Sequence, residues 1–114
     1  MTTLLALFRQ PEGGDEGLTA FERAYAETHL PLVAQTPGLR SVRVQPVTQG
    51  LGPPTDLVLI TAMDFDDRAA LDNGLAFDAM RAADRNLRDI APGLSTLLVL
   101  ETAEELVPEG WRQR

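Results

Sequence analysis

Residues 18–39, LTAFERAYAETHLPLVAQTPGL, carry the pattern that decides the fold of this chain of 114 residues. Apolar and aromatic residues recur there at three- and four-residue spacings, which is typical of one buried face of an α-helix over residues 18–28. Thr19 and Glu22 fit a capping box, in which each side chain satisfies a free amide at the helix start. We therefore expect a helix that begins near residue 18 and packs one face into a core.

The only tyrosine and the only histidine, Tyr25 and His29, lie one turn apart on the inner face of this predicted helix. Pro31 lacks an amide donor and disfavours helical angles at Leu30, which predicts a helix break at or just before His29. A side chain at a break can line a cavity, so both residues are candidates for a site. The alternative is that both are ordinary core-edge residues, since Tyr and His are commonly of intermediate burial.

Composition and charge exclude several kinds of chemistry. The net charge of −7 repels phosphate backbones and anionic membranes, so we expect neither nucleic acid nor a membrane as a partner. The absence of cysteine excludes thiolate chemistry, and the absence of lysine excludes a Schiff base. A single histidine cannot build a multi-histidine metal site in one chain. No apolar run is long enough to cross a membrane and no basic leader is recognisable, which predicts a cytoplasmic protein.

Outside the first helix, the sequence predicts four strands and a second helical region. The predicted strands are short apolar or alternating runs, at residues 3–8, 39–47, 56–65 and 95–101. Residues 66–91 have helical periodicity, with a break expected at Asn73-Gly74. The order β-α-β-β-α-β is that of a ferredoxin-like α+β sandwich, in which two helices cover one face of a four-stranded antiparallel sheet.

Three of the four predicted strands are apolar on both faces, whereas the helices can cover only one face of the sheet. The second face would leave an apolar patch larger than monomers usually expose. At about 25 cal/mol per Å², a few hundred Å² of such surface corresponds to several kcal/mol. A second copy of the same sheet is the simplest cover, so we expect a homodimer.

One stretch resembles a known family. Phe21, Tyr25, His29 and Pro31-Leu32, followed by Pro37-Gly38-Leu39, resemble the F-x-x-x-Y-x-x-x-H-x-P-L…PGL stretch of EthD-like proteins in the dimeric α+β barrel superfamily. The resemblance extends over roughly residues 3–101. It implies an EthD-like domain at residues 1–103 and a C-terminal tail at residues 104–114 that packs on the partner subunit.

The resemblance also implies a homodimeric barrel with a small-molecule pocket between helices and sheet in each subunit. Relatives in the wider superfamily include cofactor-independent monooxygenases, polyketide cyclases, muconolactone isomerases and haem enzymes. Many EthD-like proteins have no assigned reaction, so the fold constrains the function weakly and the site has to be argued from its residues.

The residues predict an enzyme that acts on a small apolar or aromatic carbonyl compound without a cofactor or a metal. His29 is the candidate general base, because its ordinary pKa near 6.5 is easily tuned across neutral pH. Tyr25 would orient the substrate, Asp84 would fix the imidazole tautomer, and Arg43 would hold a carboxylate or enolate. The candidate lining residues of the pocket are Phe8, Phe21, Phe65 and Met80. Proton abstraction beside a carbonyl, as in a cyclase, isomerase or monooxygenase, needs only such a base and an oxyanion partner.

Each of these assignments has a structural alternative. Asp84 and Arg43 could be solvated surface charges, and the phenylalanines and methionine could be core. A metal site could be formed by Asp64, Asp66 and Asp67. Carboxylates at a strand-to-helix turn, however, more often cap the helix and complement its dipole. A non-catalytic or stress-associated module could hold a hydrophobic small molecule in the same pocket. Haem binding with His29 as axial ligand is a further alternative, which the lack of an obvious basic cluster for the propionates disfavours.

Overall fold

The fold is a four-stranded antiparallel sheet with helices, described by a computed structural model over residues 1–102. The predicted tail at residues 104–114, with Trp111, lies outside the described residues. The strands are β1 (Thr2–Arg9), β2 (Leu39–Pro46), β3 (Leu57–Phe65) and β4 (Ser95–Leu100). The helices are α1 (Gly14–Ala24), α2 (Leu30–Ala34), α3 (Arg68–Leu75) and α4 (Asp78–Ile90). Within residues 1–102, no helix is both long and apolar enough to span a membrane.

The sheet has the strand order β2-β3-β1-β4, and each neighbouring pair is antiparallel. The ferredoxin-like α+β class predicted from the sequence is therefore confirmed. Alternate residues of the central strand β1 are buried, and Leu4, Ala6 and Phe8 join helix residues such as Phe21 and Leu87 in one core. This alternation identifies the face of the sheet on which the helices pack.

The other face of the sheet, here called the far face, is apolar along β1, β3 and β4. The register aligns Leu5 with Ala62 and Leu98, and it aligns Leu7 with Ile60. Leu98 remains 41% exposed. This agrees with the expectation that helices would leave one apolar face of the sheet uncovered.

The first helix differs from the prediction at both ends. It begins at Gly14, so the capping box is wrong, and Thr19 lies exposed inside α1. The helical path also does not break before Pro31. Residues Tyr25–His29 form a π-helical turn, in which the amide of Leu30 donates to the carbonyl of Tyr25 five residues earlier, and α2 follows directly. Pro31 lies in the first turn of α2, a position where its missing amide is tolerated.

The second helical region has the expected two pieces, but the break falls at Ala76–Phe77 rather than at Asn73-Gly74. Gly74 lies buried within α3. A Cβ atom at this position would approach the Cε1 of Phe65 to 2.9 Å. Glycine is therefore required here for the close packing of α3 on the sheet, and it does not end the helix.

Candidate functional site

A cavity of about 410 Å³ lies between the helices and the sheet. Its volume is within the range of roughly 300–1,000 Å³ that is usual for small-molecule pockets. The wall is mostly apolar and is contributed by β1, β3, β4 and the helices. Its apolar lining residues include Leu4, Ala6, Phe8, Val33, Met63, Met80, Leu87 and Leu97. The cavity can therefore accommodate a small, largely apolar body.

Tyr25 and His29 both line this cavity, and the π turn stacks one ring on the other. Their ring centroids are 4.9 Å apart and the ring planes are inclined by 29°. The ring of Phe8 meets Tyr25 edge-on, with centroids 5.1 Å apart. Both side chains are almost completely buried, with 2% exposure for Tyr25 and 6% for His29. The rings of Tyr25 and His29 are thus packed against each other, and Tyr25 is packed against Phe8 of β1.

The Tyr25 hydroxyl forms a hydrogen bond of 2.6 Å with the hydroxyl of Thr61, a fully buried residue of β3. Burial raises the pKa of Tyr25 to about 12, and the hydrogen bond with Thr61 opposes this shift only in part. At neutral pH Tyr25 therefore keeps its proton. When the Thr61 hydroxyl donates the hydrogen bond between the two residues, the Tyr25 hydroxyl is free to donate to an oxygen in the cavity.

Burial lowers the pKa of His29 below its ordinary 6.5, although the Asn86 side chain, the Ala83 backbone and the charge of Asp84 oppose the shift. Among residues 1–102, no group forms a hydrogen bond with the buried Nδ1 of His29. A buried polar atom without a partner is costly in free energy. His29 is thus a neutral imidazole at pH 7, with a nitrogen for which the described part of the protein supplies no partner.

The structure brings Phe8, Met80 and Asp84 to the cavity with Tyr25 and His29. Asp84 forms an ion pair of 2.8 Å with Arg88 and no hydrogen bond with His29 within the described residues. It acts on the imidazole through its charge.

Three other sequence candidates lie elsewhere. The ring of Phe21 packs behind Phe8, with centroids 5.5 Å apart, and Phe65 is core beneath α3. Arg43 lies on the far face, where its guanidinium is 3.8 Å from the Asp64 carboxylate. These residues therefore do not line the cavity of their own subunit.

The aspartates considered for a metal site have protein partners instead. Asp67 caps α3 by accepting a hydrogen bond of 2.8 Å from the amide of Ala70. Asp66 pairs with Arg40 at 3.0 Å. Within residues 1–102 no cluster of three or more histidine and carboxylate side chains has the proximity needed for a metal ion.

Sequence reasoning missed two kinds of site residue. Thr61 stands in an apolar strand, and nothing in the sequence pairs it with Tyr25. Arg81, Arg85 and Arg88 of α4 line the cavity, although the sequence suggested only a solvated face. Their four- and three-residue spacings place them on one side of the helix, which was the available signal. They also form the basic cluster whose apparent lack disfavoured haem, so that objection no longer holds.

Three solved structures have the same fold as this chain. An ethyl tert-butyl ether D (EthD) family protein from Bacillus halodurans is 30% identical, with a TM-score of 0.81 over 90% of this chain and 99% of that one. A dimeric ferredoxin-like protein of unknown function from Jannaschia is 21% identical, with a TM-score of 0.65 over 90% and 100%. SnoaB, a cofactor-independent oxygenase from Streptomyces nogalater, is 19% identical in a mutant form, with a TM-score of 0.58 over 94% and 96%.

Neither a protein-family model nor a curated protein matches the sequence. The Jannaschia and Streptomyces proteins are too distant in sequence to show more than the fold. The Bacillus protein combines sequence identity with nearly complete coverage of both chains, and it shares the two-layer architecture described above. The chain therefore belongs to the EthD family.

Proposed function

We propose that this protein is an enzyme that removes a proton beside a carbonyl group of a small apolar or aromatic compound, without a cofactor, and that His29 is the base. The observation that carries the proposal is the buried, neutral imidazole of His29, which lines the apolar cavity and has no partner for Nδ1 in the described chain. A base whose pKa is lowered from 6.5 is mostly unprotonated at neutral pH.

The neighbouring groups fit the charge that such a reaction develops. When His29 accepts a proton from the carbon beside the carbonyl, the electron pair moves to the oxygen and gives an enolate. The Tyr25 hydroxyl, which is still protonated at neutral pH, can donate a hydrogen bond to that oxygen. Thr61 holds the hydroxyl in place from β3. Return of the proton to a different atom of the enolate completes an isomerisation and restores neutral His29.

The proposal leaves open whether the enolate is then isomerised, oxygenated or cyclised. The cofactor-independent oxygenase SnoaB shares the fold but only 19% of the sequence. An enolate is also the species that would react with dioxygen or close a ring in related chemistry. Isomerisation, reaction with dioxygen and ring closure all begin with proton abstraction, and this is the step that the residues of the cavity support.

We further propose that two copies of the chain associate through their far faces. The apolar residues Leu5, Leu7, Ile60 and Leu98 lie side by side on this face, and the helices pack on the opposite one. The structural relative from Jannaschia is described as dimeric. A second sheet would remove this apolar surface from water, which is favourable by about 25 cal/mol per Å².

Solvent deuterium exchange tests the catalytic proposal directly. The methylene protons of propiophenone and of a panel of related aryl ketones are followed by NMR in D₂O with the wild type and with His29→Gln. We expect wild-type protein to accelerate the exchange of at least one ketone, and the variant to lose about 10²-fold or more of that rate.

The same samples separate an enzyme from a carrier. The His29 ring signal reports binding in the wild type, and the methyl signals of Met63 and Met80 report binding in both proteins because both residues line the cavity. A ketone that binds both proteins equally, with no exchange dependent on His29, would support the non-catalytic binding module instead.

A further inference from the structure

We propose that the molecule bound in this cavity carries an anionic group, a carboxylate on an apolar or aromatic body, and that Arg81 and Arg85 hold that group at the mouth. The inference rests on the proposed function only for the cavity as the binding site. It adds the class of substrate and two residues that determine specificity.

The geometry of α4 places the charges where this requires them. Met80, Ala83 and Leu87 are the buried residues of α4 and point into the core. Arg81 lies three and four residues before Asp84 and Arg85, and these two lie four and three residues before Arg88, which places all four on one side of the helix. All four also line the cavity while remaining exposed to solvent. They therefore form its rim, whereas the buried residues form its interior.

Only part of this positive charge is neutralised within the described chain. Asp84 pairs with Arg88 at 2.8 Å. Among residues 1–102, no carboxylate lies within ion-pair distance of Arg81 or Arg85. Within the described part of the chain, the rim thus has two unpaired guanidinium groups, in a protein whose net charge is −7. Arg81 and Arg85 lie four residues apart, so their like charges repel each other across one turn of the helix.

The interior and the rim of the cavity suit different groups of a ligand. The interior is apolar, and its polar groups, Tyr25 and His29, suit a neutral carbonyl. A carboxylate there would lose its hydration without a cation to replace it. At the rim it would stay partly hydrated and could meet the planar fork of an arginine in the bidentate geometry that guanidinium and carboxylate prefer. The arrangement therefore fits an amphipathic anion with its carboxylate outward.

A matched pair of ligands tests the inference. Propiophenone and 4-propionylbenzoate have the same ketone and ring and differ by one carboxylate. Their dissociation constants are measured by NMR titration, with the His29 ring signal as the readout. We expect the carboxylate compound to bind wild-type protein about tenfold tighter or better at low ionic strength, and the preference to shrink as salt is added.

The variant Arg81→Gln/Arg85→Gln should abolish this preference, so that it binds the two ligands with the same dissociation constant. The control Arg23→Gln/Arg40→Gln removes the same charge from positions outside the cavity and should keep the preference. All four arginines are exposed, so thermal unfolding should show that both variants remain folded.

The outcomes distinguish the two proposals. Equal binding of the two ligands by the wild type, or a preference that survives in Arg81→Gln/Arg85→Gln, overturns the rim assignment and leaves His29 as the base. A failure of 4-propionylbenzoate to bind at all also overturns it. Arginine-dependent binding without exchange dependent on His29 supports the rim assignment and contradicts the catalytic proposal.

Discussion

The hydroxyl oxygens of Tyr25 and Thr61 lie 2.6 Å apart in the core, and this hydrogen bond joins the π turn to the central part of β3. The same tyrosine ring supports the imidazole of His29 from one side. The hydrogen bond thus anchors Tyr25 to the sheet, and the stacking places the His29 ring relative to Tyr25.

Replacing Thr61 with valine should destabilise the protein by about 1–3 kcal/mol, because the buried Tyr25 hydroxyl then loses its partner. Tyr25→Phe leaves the Thr61 hydroxyl without its partner and should cost a similar amount. In the double variant neither hydroxyl remains, so the cost should be smaller than the sum of the two single values. The free energy of unfolding is measured by urea denaturation for the wild type, the two single variants and the double variant. Strictly additive effects would show that the two hydroxyls do not interact.

The lowered pKa of His29 predicts that stability falls as the solution becomes mildly acidic. Burial favours the neutral imidazole in the folded state, so below pH 6.5 the unfolded chain binds a proton that the folded chain does not. The contribution of His29 is thus complete above pH 6.5 and is lost as the pH falls toward the lowered folded value. The free energy of unfolding of wild type minus that of His29→Gln should decrease over this window. A difference independent of pH would contradict a lowered pKa.

Asp64→Asn should cost about 1.5–3 kcal/mol of stability at pH 7. The Asp64 carboxylate accepts hydrogen bonds from Thr3 and Ser41, and these bonds with nearby Arg43 lower its pKa against the opposing effect of burial. A depressed carboxyl pKa stabilises the fold above the unfolded value and loses this effect as the pH falls through the folded value.

The acid-induced loss of stability should therefore be smaller in Asp64→Asn than in the wild type. Asp66→Asn is the matched control, because Asp66 forms an exposed ion pair with Arg40 that is worth less than about 1 kcal/mol. Equal effects of the two substitutions would mean that the far-face hydrogen bonds do not stabilise the carboxylate.

Leu98→Arg should shift the protein from dimer to monomer. The substitution places an unpaired charge in the middle of the proposed sheet-to-sheet contact, where desolvation is costly. Val99→Arg is the control, because Val99 is similarly exposed on the adjacent position of β4 but faces the helical side. Sedimentation equilibrium should give twice the 12.4 kDa chain mass for the wild type and Val99→Arg, and the chain mass for Leu98→Arg. A wild-type mass near 12.4 kDa at micromolar concentration would contradict the dimer.

Periodicity predicted the fold well because strand and helix faces follow from local spacing. All four strands lie within two residues of their predicted ends, and the apolar character of both sheet faces is visible in β1 and β4. Gly74 is a residue whose role could not be predicted from local spacing. Its role depends on the approach of Phe65, a contact between elements that no local pattern contains.

The residues that line the cavity were predicted in part for the same reason. Tyr25 and His29 could be identified because they are the only residues of their kind and are four residues apart. Thr61 and the arginines of α4 could not be assigned, because their roles arise from the packing of β3 and α4 around the cavity. Arg43 was predicted to bind a ligand because of its charge, but the alternation of β2 places it on the far face, away from the cavity.

The π turn has a consequence for how this site is inherited. Its hydrogen bond joins Tyr25 and Leu30, which are five residues apart, whereas an α-helical bond joins residues four apart. Deletion of one exposed residue such as Glu27 would let the turn close as a regular α-helix, and the helices on either side would keep their faces. His29 would then follow Tyr25 at a spacing of three residues instead of four, still on the same side of the helix but at a different rise and angle. A change of one codon can thus alter the geometry of the two rings while the rest of the fold keeps its register.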